Sequence, residues 1–158
     1  MFDDNIPVSV FTSYAHKDEE LREELDVHLA MIKRQPAIEV WNDREIVAGD
    51  EWDDSIKKEL ESADIILLLV SPRFLASRYI YDVEIKTALE RHEKREAIVV
   101  PIILKPCDWT ETEFAKLQAL PRNAKPVSTW DDMDEAFYNV ATGLKQVITA
   151  VQKKKGNR

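Results

Sequence analysis

The hydrophobic positions of this chain alternate between a period of two and a period near 3.6. Val8-Ser9-Val10-Phe11 is a short β-rich run leading into the polar turn Thr12-Ser13-Tyr14-Ala15-His16. From Asp18 onward, Leu21, Leu25, Leu29 and Ile32 recur at helical spacing until Pro36 stops them. Ile38-Glu39-Val40-Trp41 alternates as a second strand, and residues 42–49 read as a charged loop with a hinge at Gly49. Asp50 is the expected cap of a helix over about 51–62, with Ile56 and Leu60 on its inner face. Ile65-Ile66-Leu67-Leu68-Leu69-Val70 has no polar interruption, the mark of a strand covered on both faces.

After Ser71-Pro72 the pattern predicts a helix over about 79–94 and a fourth strand over 97–104. Residues 108–120 predict a short irregular helix, 126–130 a weak fifth strand, and 131–151 a closing amphipathic helix. Strands alternating with helices through short links make an α/β, three-layer domain with a parallel sheet. Five strands suggest the flavodoxin-like order 2-1-3-4-5, with helices on both faces and ligands bound beyond the carboxyl ends of the strands. Residues 12–16 and 71–78 then flank the crevice. The domain is expected to occupy residues 1–152, and residues 153–158 read as a basic, solvated tail or the start of a linker.

Composition narrows the chemistry. Lys and Arg total 22 against 30 Asp and Glu, and the net charge of −8 disfavours a nucleic-acid binder. No apolar run approaches the ~20 residues that span a bilayer, and no secretory signal opens the chain, so the expectation is cytoplasmic, with no membrane partner. The lone Cys107 forms no internal disulfide, and His16, His28 and His92 have no metal-binding spacing, so no metal is expected. Three glycines leave no GxGxxG turn and no phosphate loop. Ser13 and Ser71 sit where a nucleophile could, but outside any GxSxG elbow. Trp41, Trp52, Trp109 and Trp130 read as packing anchors.

Glu84 is the residue of greatest interest. At 100° per residue, Tyr81, Ile85, Ala88 and Leu89 form an apolar stripe, and Glu84 falls on its border. There it is either a boundary residue whose head reaches water near a helix N-terminus, or a carboxylate facing the crevice.

Several motifs together resemble the TIR (Toll/interleukin-1 receptor) domains, with a bacterial flavour, over residues 8–151. Residues 10–18 (VFTSYAHKD) are similar to that family's first box, residues 40–49 (VWNDREIVAG) to its second, residues 63–72 to its third strand, and residues 77–84 (SRYIYDVE) to the segment with its catalytic glutamate. The resemblance implies one of two roles. The first is an NAD glycohydrolase, activated by self-assembly in bacterial immunity or signalling, that releases nicotinamide and ADP-ribose or a cyclic isomer. NAD is then substrate, and no cofactor is implied. The second is a non-catalytic module that binds other TIR domains. Under the first, Glu84 is the catalytic glutamate, Ser13, Tyr14 and Ala15 line the pocket, and Asp43 and Arg44 lie in the loop touching the nucleotide or a neighbouring protomer. Ile80 stands where a WxxxE arrangement has tryptophan. Tyr79 or Tyr81 is the candidate for the missing ring, and Ile80 and Tyr81 complete the expected substrate contacts. A receiver domain shares the fold but needs an aspartate where Ser71 stands.

Overall fold

A computed structural model describes residues 2–47, 54–77 and 80–157. Strand β1 (Val8–Ala15) turns through a 3-10 segment (His16–Asp18) into helix α1 (Glu19–Lys33). Then follow β2 (Ile38–Ile46), α2 (Asp54–Ser62), β3 (Ile65–Val70), α3 (Pro72–Ala76), a π-helical turn (Ile80–Ile85), α4 (Lys86–Glu93), β4 (Ile98–Ile103) and the long α5 (Met133–Gly156). The strands are parallel and ordered β2-β1-β3-β4. This is the expected α/β architecture with helices on both faces.

Strand β3 lies inside the sheet between β1 and β4, and all six of its residues are buried. Its alternate side chains feed two cores. Ile65, Leu67 and Leu69 join Leu25, Leu29 and Ile32 of α1 and Phe137, Val140, Leu144 and Ile148 of α5. Ile66, Leu68 and Val70 join Leu60 of α2, Phe74 of α3, Ile85 of the π-turn and Ala88 and Leu89 of α4. Burying each such Leu, Ile or Phe contributes roughly 1.5–3 kcal/mol, so the two layers clamp the sheet from either side.

Four differences from the sequence-based expectations have physical causes. Among the described residues the sheet has four strands, because residues 126–130 form a 3-10 turn (Val127–Thr129). Pro126 has no N–H to give a ladder, and the Thr129 hydroxyl and amide and the Trp130 amide bond back within the turn. The outer edge of β4 is instead satisfied by Leu120, which accepts from the Ile103 amide at 2.8 Å and donates to the Pro101 carbonyl at 2.8 Å. Leu120 lies so close to α5 that a Cβ on Gly143 would fall 2.6 Å from its Cδ2, which accounts for a glycine in mid-helix.

Second, β1 and β2 run on together until Ala15 pairs with Ile46, so residues 12–15 are strand and not turn, and residues 42–46 are strand and not loop. Third, residues 108–120 hold a single 3-10 turn (Trp109–Glu111), closed when the Thr112 hydroxyl and amide both donate to the Trp109 carbonyl. Fourth, α5 continues to Gly156, so Lys153, Lys154 and Lys155 are helical. Lys155 donates to the Pro7 carbonyl at 2.6 Å and to Asp64 at 3.0 Å, which holds this end of the helix against the start of β1. Asp50, Gly49, Trp52, Arg78 and Tyr79 lie outside the described residues.

His92 ties α4 to β4. Its Nδ1 accepts the Val99 amide at 3.1 Å, and burial, aided by Lys116, lowers its pKa from the ordinary 6.5. The unfolded chain therefore binds more protons just below pH 6.5, so the contribution of His92 is complete above that value and declines as pH falls. Urea titrations between pH 7.5 and 5 should show stability dropping in wild type, and less in His92→Gln. Equal slopes in both proteins would remove His92 from the effect.

Candidate functional site

The carboxyl ends of β1, β2 and β3 and the π-turn meet at one edge of the sheet, and the side chains there divide between its two faces. Strand alternation places Ser13 and Ala15 of β1 and Arg44 and Ile46 of β2 on the face covered by α2, α3 and α4. Ser13 pairs with Arg44 on one side and Leu68 on the other. Its hydroxyl is buried and has no hydrogen-bond partner among the described residues.

Glu84 reaches the same face from the π-turn. It is only 3% exposed, and Arg44, itself 8% exposed, brings Nε to 3.4 Å from Oε1. The reading of Glu84 as a boundary residue with its head in water is therefore overturned. The cause is local: a π-turn advances fewer degrees per residue than an α-helix, and here Glu84 and Ile85 are buried in succession. A carboxylate so deep needs a counter-charge, and the guanidinium provides one. Arg44 is steadied by its own strand, donating from Nη1 to the Glu45 carbonyl at 3.0 Å.

Tyr14 and Asp43 lie on the other face, towards α1, apart from Glu84. Tyr14 is buried in the α1–α5 core, and its hydroxyl donates to Glu45 at 3.0 Å. Burial, with hydrogen bonds to Glu19 and Glu45, pushes its phenol far above the ordinary range, so it stays protonated at any physiological pH. The Arg22 guanidinium sits 5.3 Å from the Tyr14 ring centre and pairs with Asp43 at 3.3 Å. Burial raises the Asp43 carboxyl, against the opposing pull of Lys33 and Arg22. Trp41 packs beside them, donating to the Thr12 hydroxyl at 3.1 Å with Lys33 over its ring, as befits a packing anchor. Ile80 and Tyr81 contribute backbone to the π-turn, and their side chains lie outside the described set.

Ser71 is engaged elsewhere. Its hydroxyl donates to the buried Asp18 carboxylate and accepts the Phe74 amide at 3.1 Å, capping α3. That bond joins the turns after β1 and β3 across the crevice and uses up the oxygen a nucleophile would need. Sequence reasoning gave Asp18 no role, because its partner is 53 residues away. Glu45 was equally hidden: it receives both Tyr14 and His16, the latter at 2.6 Å. Among the described residues no group of three or more His, Cys, Asp or Glu is placed to hold a metal ion. Nor is any described helix long and apolar enough to cross a membrane.

The model of the TIR domain family matches residues 10–139, which include most of β1, the Arg44–Glu84 pair and most of the sheet's cover. The chain belongs to the TIR domain family. This TIR domain is also 50% identical over 143 residues to the uncharacterized protein y4lF of Sinorhizobium fredii (strain NBRC 101917 / NGR234). That match covers 90% of the chain and 44% of y4lF, so the chain spans less than half the length of its relative. Among solved structures it is similar to the TIR domains of the activated Roq1 resistosome, which directly recognizes the pathogen effector XopQ. There the identity is 18% and the TM-score 0.49, over 92% of this chain and 84% of that one.

Proposed function

We propose that this TIR domain is an NAD glycohydrolase, active when copies of it assemble, in a cytoplasmic immune or signalling response. The observation that carries the reading is Glu84, a buried carboxylate on the same sheet face as Ser13 and Arg44, at the strand ends where this fold binds ligands. The chemistry asks little of the protein. The bond between nicotinamide nitrogen and ribose carbon breaks, its electron pair stays on nicotinamide, and the leaving group departs neutral without a general acid. A carboxylate then stabilises the oxocarbenium-like ribose, directly or through the ribose hydroxyls. Water adds to the ribose carbon and gives ADP-ribose and a proton; attack by a group of the same molecule gives a cyclic isomer. Ser13, whose hydroxyl has no partner among the described residues, is the candidate on β1 to bind a polar group of the substrate.

A second reading is a non-catalytic module that binds other TIR domains. The burial of both Glu84 oxygens favours it, since a carboxylate so enclosed also suits a purely structural ion pair. Reversing the charges of Asp43 and Arg44 is a poor probe of that reading, because both residues already belong to intramolecular ion pairs. Chromatography of NAD incubated with purified protein separates the two roles. Across rising protein concentration, with and without a crowding agent, nicotinamide release should increase more steeply than in proportion to protein. Concentration-dependent assembly in light scattering with no loss of NAD at any concentration would leave the interaction module alone.

A further inference from the structure

The carboxylate on which this chemistry depends is out of reach. Glu84 is 3% exposed, and its two oxygens have almost no accessible surface. No ribose hydroxyl could meet either oxygen while that burial lasts. Part of the cover is Arg44, whose Nε stands 3.4 Å from Oε1.

The two partners sit on separate elements of unlike character. Arg44 belongs to β2, an edge strand that among the described residues pairs with β1 alone. Glu84 belongs to a π-turn, a form of backbone less regular than the α-helix that follows it. A displacement of either element parts the ions and leaves the α1–α5 core untouched, although it shifts Ile46 or Ile85, through which each element meets the core on the α2–α4 side. The pair is also asymmetric: Arg44 keeps the Glu45 carbonyl on its own strand when Glu84 leaves.

Resting on the NAD-cleaving reading above, we infer that the Arg44–Glu84 pair is an autoinhibitory latch, which holds the carboxylate shut in the isolated domain and frees it when β2 and the π-turn separate. In this form Arg44 is not a substrate contact but the lid on Glu84. Dependence of activity on assembly then follows if contacts between copies favour the parted arrangement.

The test reads the latch in two ways. Wild type, Arg44→Met, Arg44→Lys and the double variant Arg44→Met/Glu84→Gln are treated with a water-soluble carbodiimide and an amine. Tandem mass spectrometry then follows Glu84, resolved from Asp82, against the exposed Glu90 as reference. The same proteins are assayed for nicotinamide release from NAD at a low concentration. Glu84 should be protected in wild type and labelled about tenfold faster or more in Arg44→Met, with intermediate labelling in Arg44→Lys. Nicotinamide release by Arg44→Met at low concentration should rise by a similar factor, and the double variant should be silent.

Equal labelling of Glu84 in wild type and Arg44→Met overturns the latch, whatever the activity. Faster labelling in Arg44→Met with slower NAD cleavage than wild type, at a concentration where wild type is active, also overturns it. Faster labelling with no NAD cleavage by any protein at any concentration keeps the latch and removes the NAD reading. If circular dichroism shows Arg44→Met unfolded, the comparison of Arg44→Lys with wild type decides by the same labelling criterion.

Discussion

Glu84→Gln slows nicotinamide release from NAD by on the order of 10²–10³-fold or more under conditions in which wild type turns over. The substitution keeps the length and shape of the side chain and removes only its charge. What it removes is the attraction between a carboxylate and a ribose that gains positive charge as nicotinamide leaves, an interaction stronger in the transition state than in the bound substrate. Accordingly kcat should carry most of the loss and KM little of it. The amide oxygen can still accept from the Arg44 guanidinium, so the domain should stay folded, with a modest drop in melting temperature. Nicotinamide chromatography with a thermal melt of each protein checks both halves. Equal release by wild type and a folded Glu84→Gln protein would remove Glu84 from the chemistry.

How far the sequence leads differs between the fold and this site. Strand β3 is legible because it is covered on both faces, and six apolar residues in succession have no other good explanation in a chain this charged. Helices α1 and α5 are legible because their apolar stripes each face one core. The second half of β2 is not. Asn42, Asp43, Arg44 and Glu45 look like a surface loop, and only coordinates reveal that Arg22, Glu84 and Tyr14 supply their partners from elsewhere. Residues 126–130 fail in the opposite sense: a β-branched Val127 and an aromatic Trp130 suggest a strand, but Pro126 denies it a ladder. The depth of Glu84 is hidden for two reasons. Helical angles computed at 100° per residue do not hold in a π-turn, and the arginine that makes burial tolerable lies 40 positions earlier in the chain. The resemblance to TIR domains supplies both residues as candidates, yet says nothing of their pairing. Nor does any motif tell that Tyr14 and Asp43 face α1, since adjacent residues of one strand read alike in sequence and point to opposite sides of the sheet.

Arg91→Met is expected to be the most damaging of the substitutions away from Glu84, and it acts on stability, not chemistry. Arg91 lies near the end of α4, only 12% exposed, and its Nη1 donates to the Leu60 and Ala63 carbonyls, each at 2.7 Å. Its Nη2 donates to the Glu96 carbonyl at 3.1 Å. The first two acceptors lie at the C-terminal end of α2 and just beyond it, where helical carbonyls have no partner within the helix. One guanidinium thus closes α2, joins it to α4 and pins the turn that enters β4. Methionine fills much of the same volume but leaves these carbonyls without a charged donor, at a cost of about 2–4 kcal/mol. For a domain of this size that lowers the melting temperature by roughly 5–15 °C. Arg91→Lys should recover only part of the loss, because a single ammonium cannot span acceptors that a forked guanidinium reaches together. Thermal melts of the three proteins decide, and a methionine variant that melts with wild type would show that water serves these carbonyls as well as Arg91 does. Since α4 follows directly on the π-turn that bears Glu84, a loosened Arg91→Met protein should also label faster at Glu84 with carbodiimide. That labelling should rise in step with the loss of stability, since it comes from local opening of the whole element.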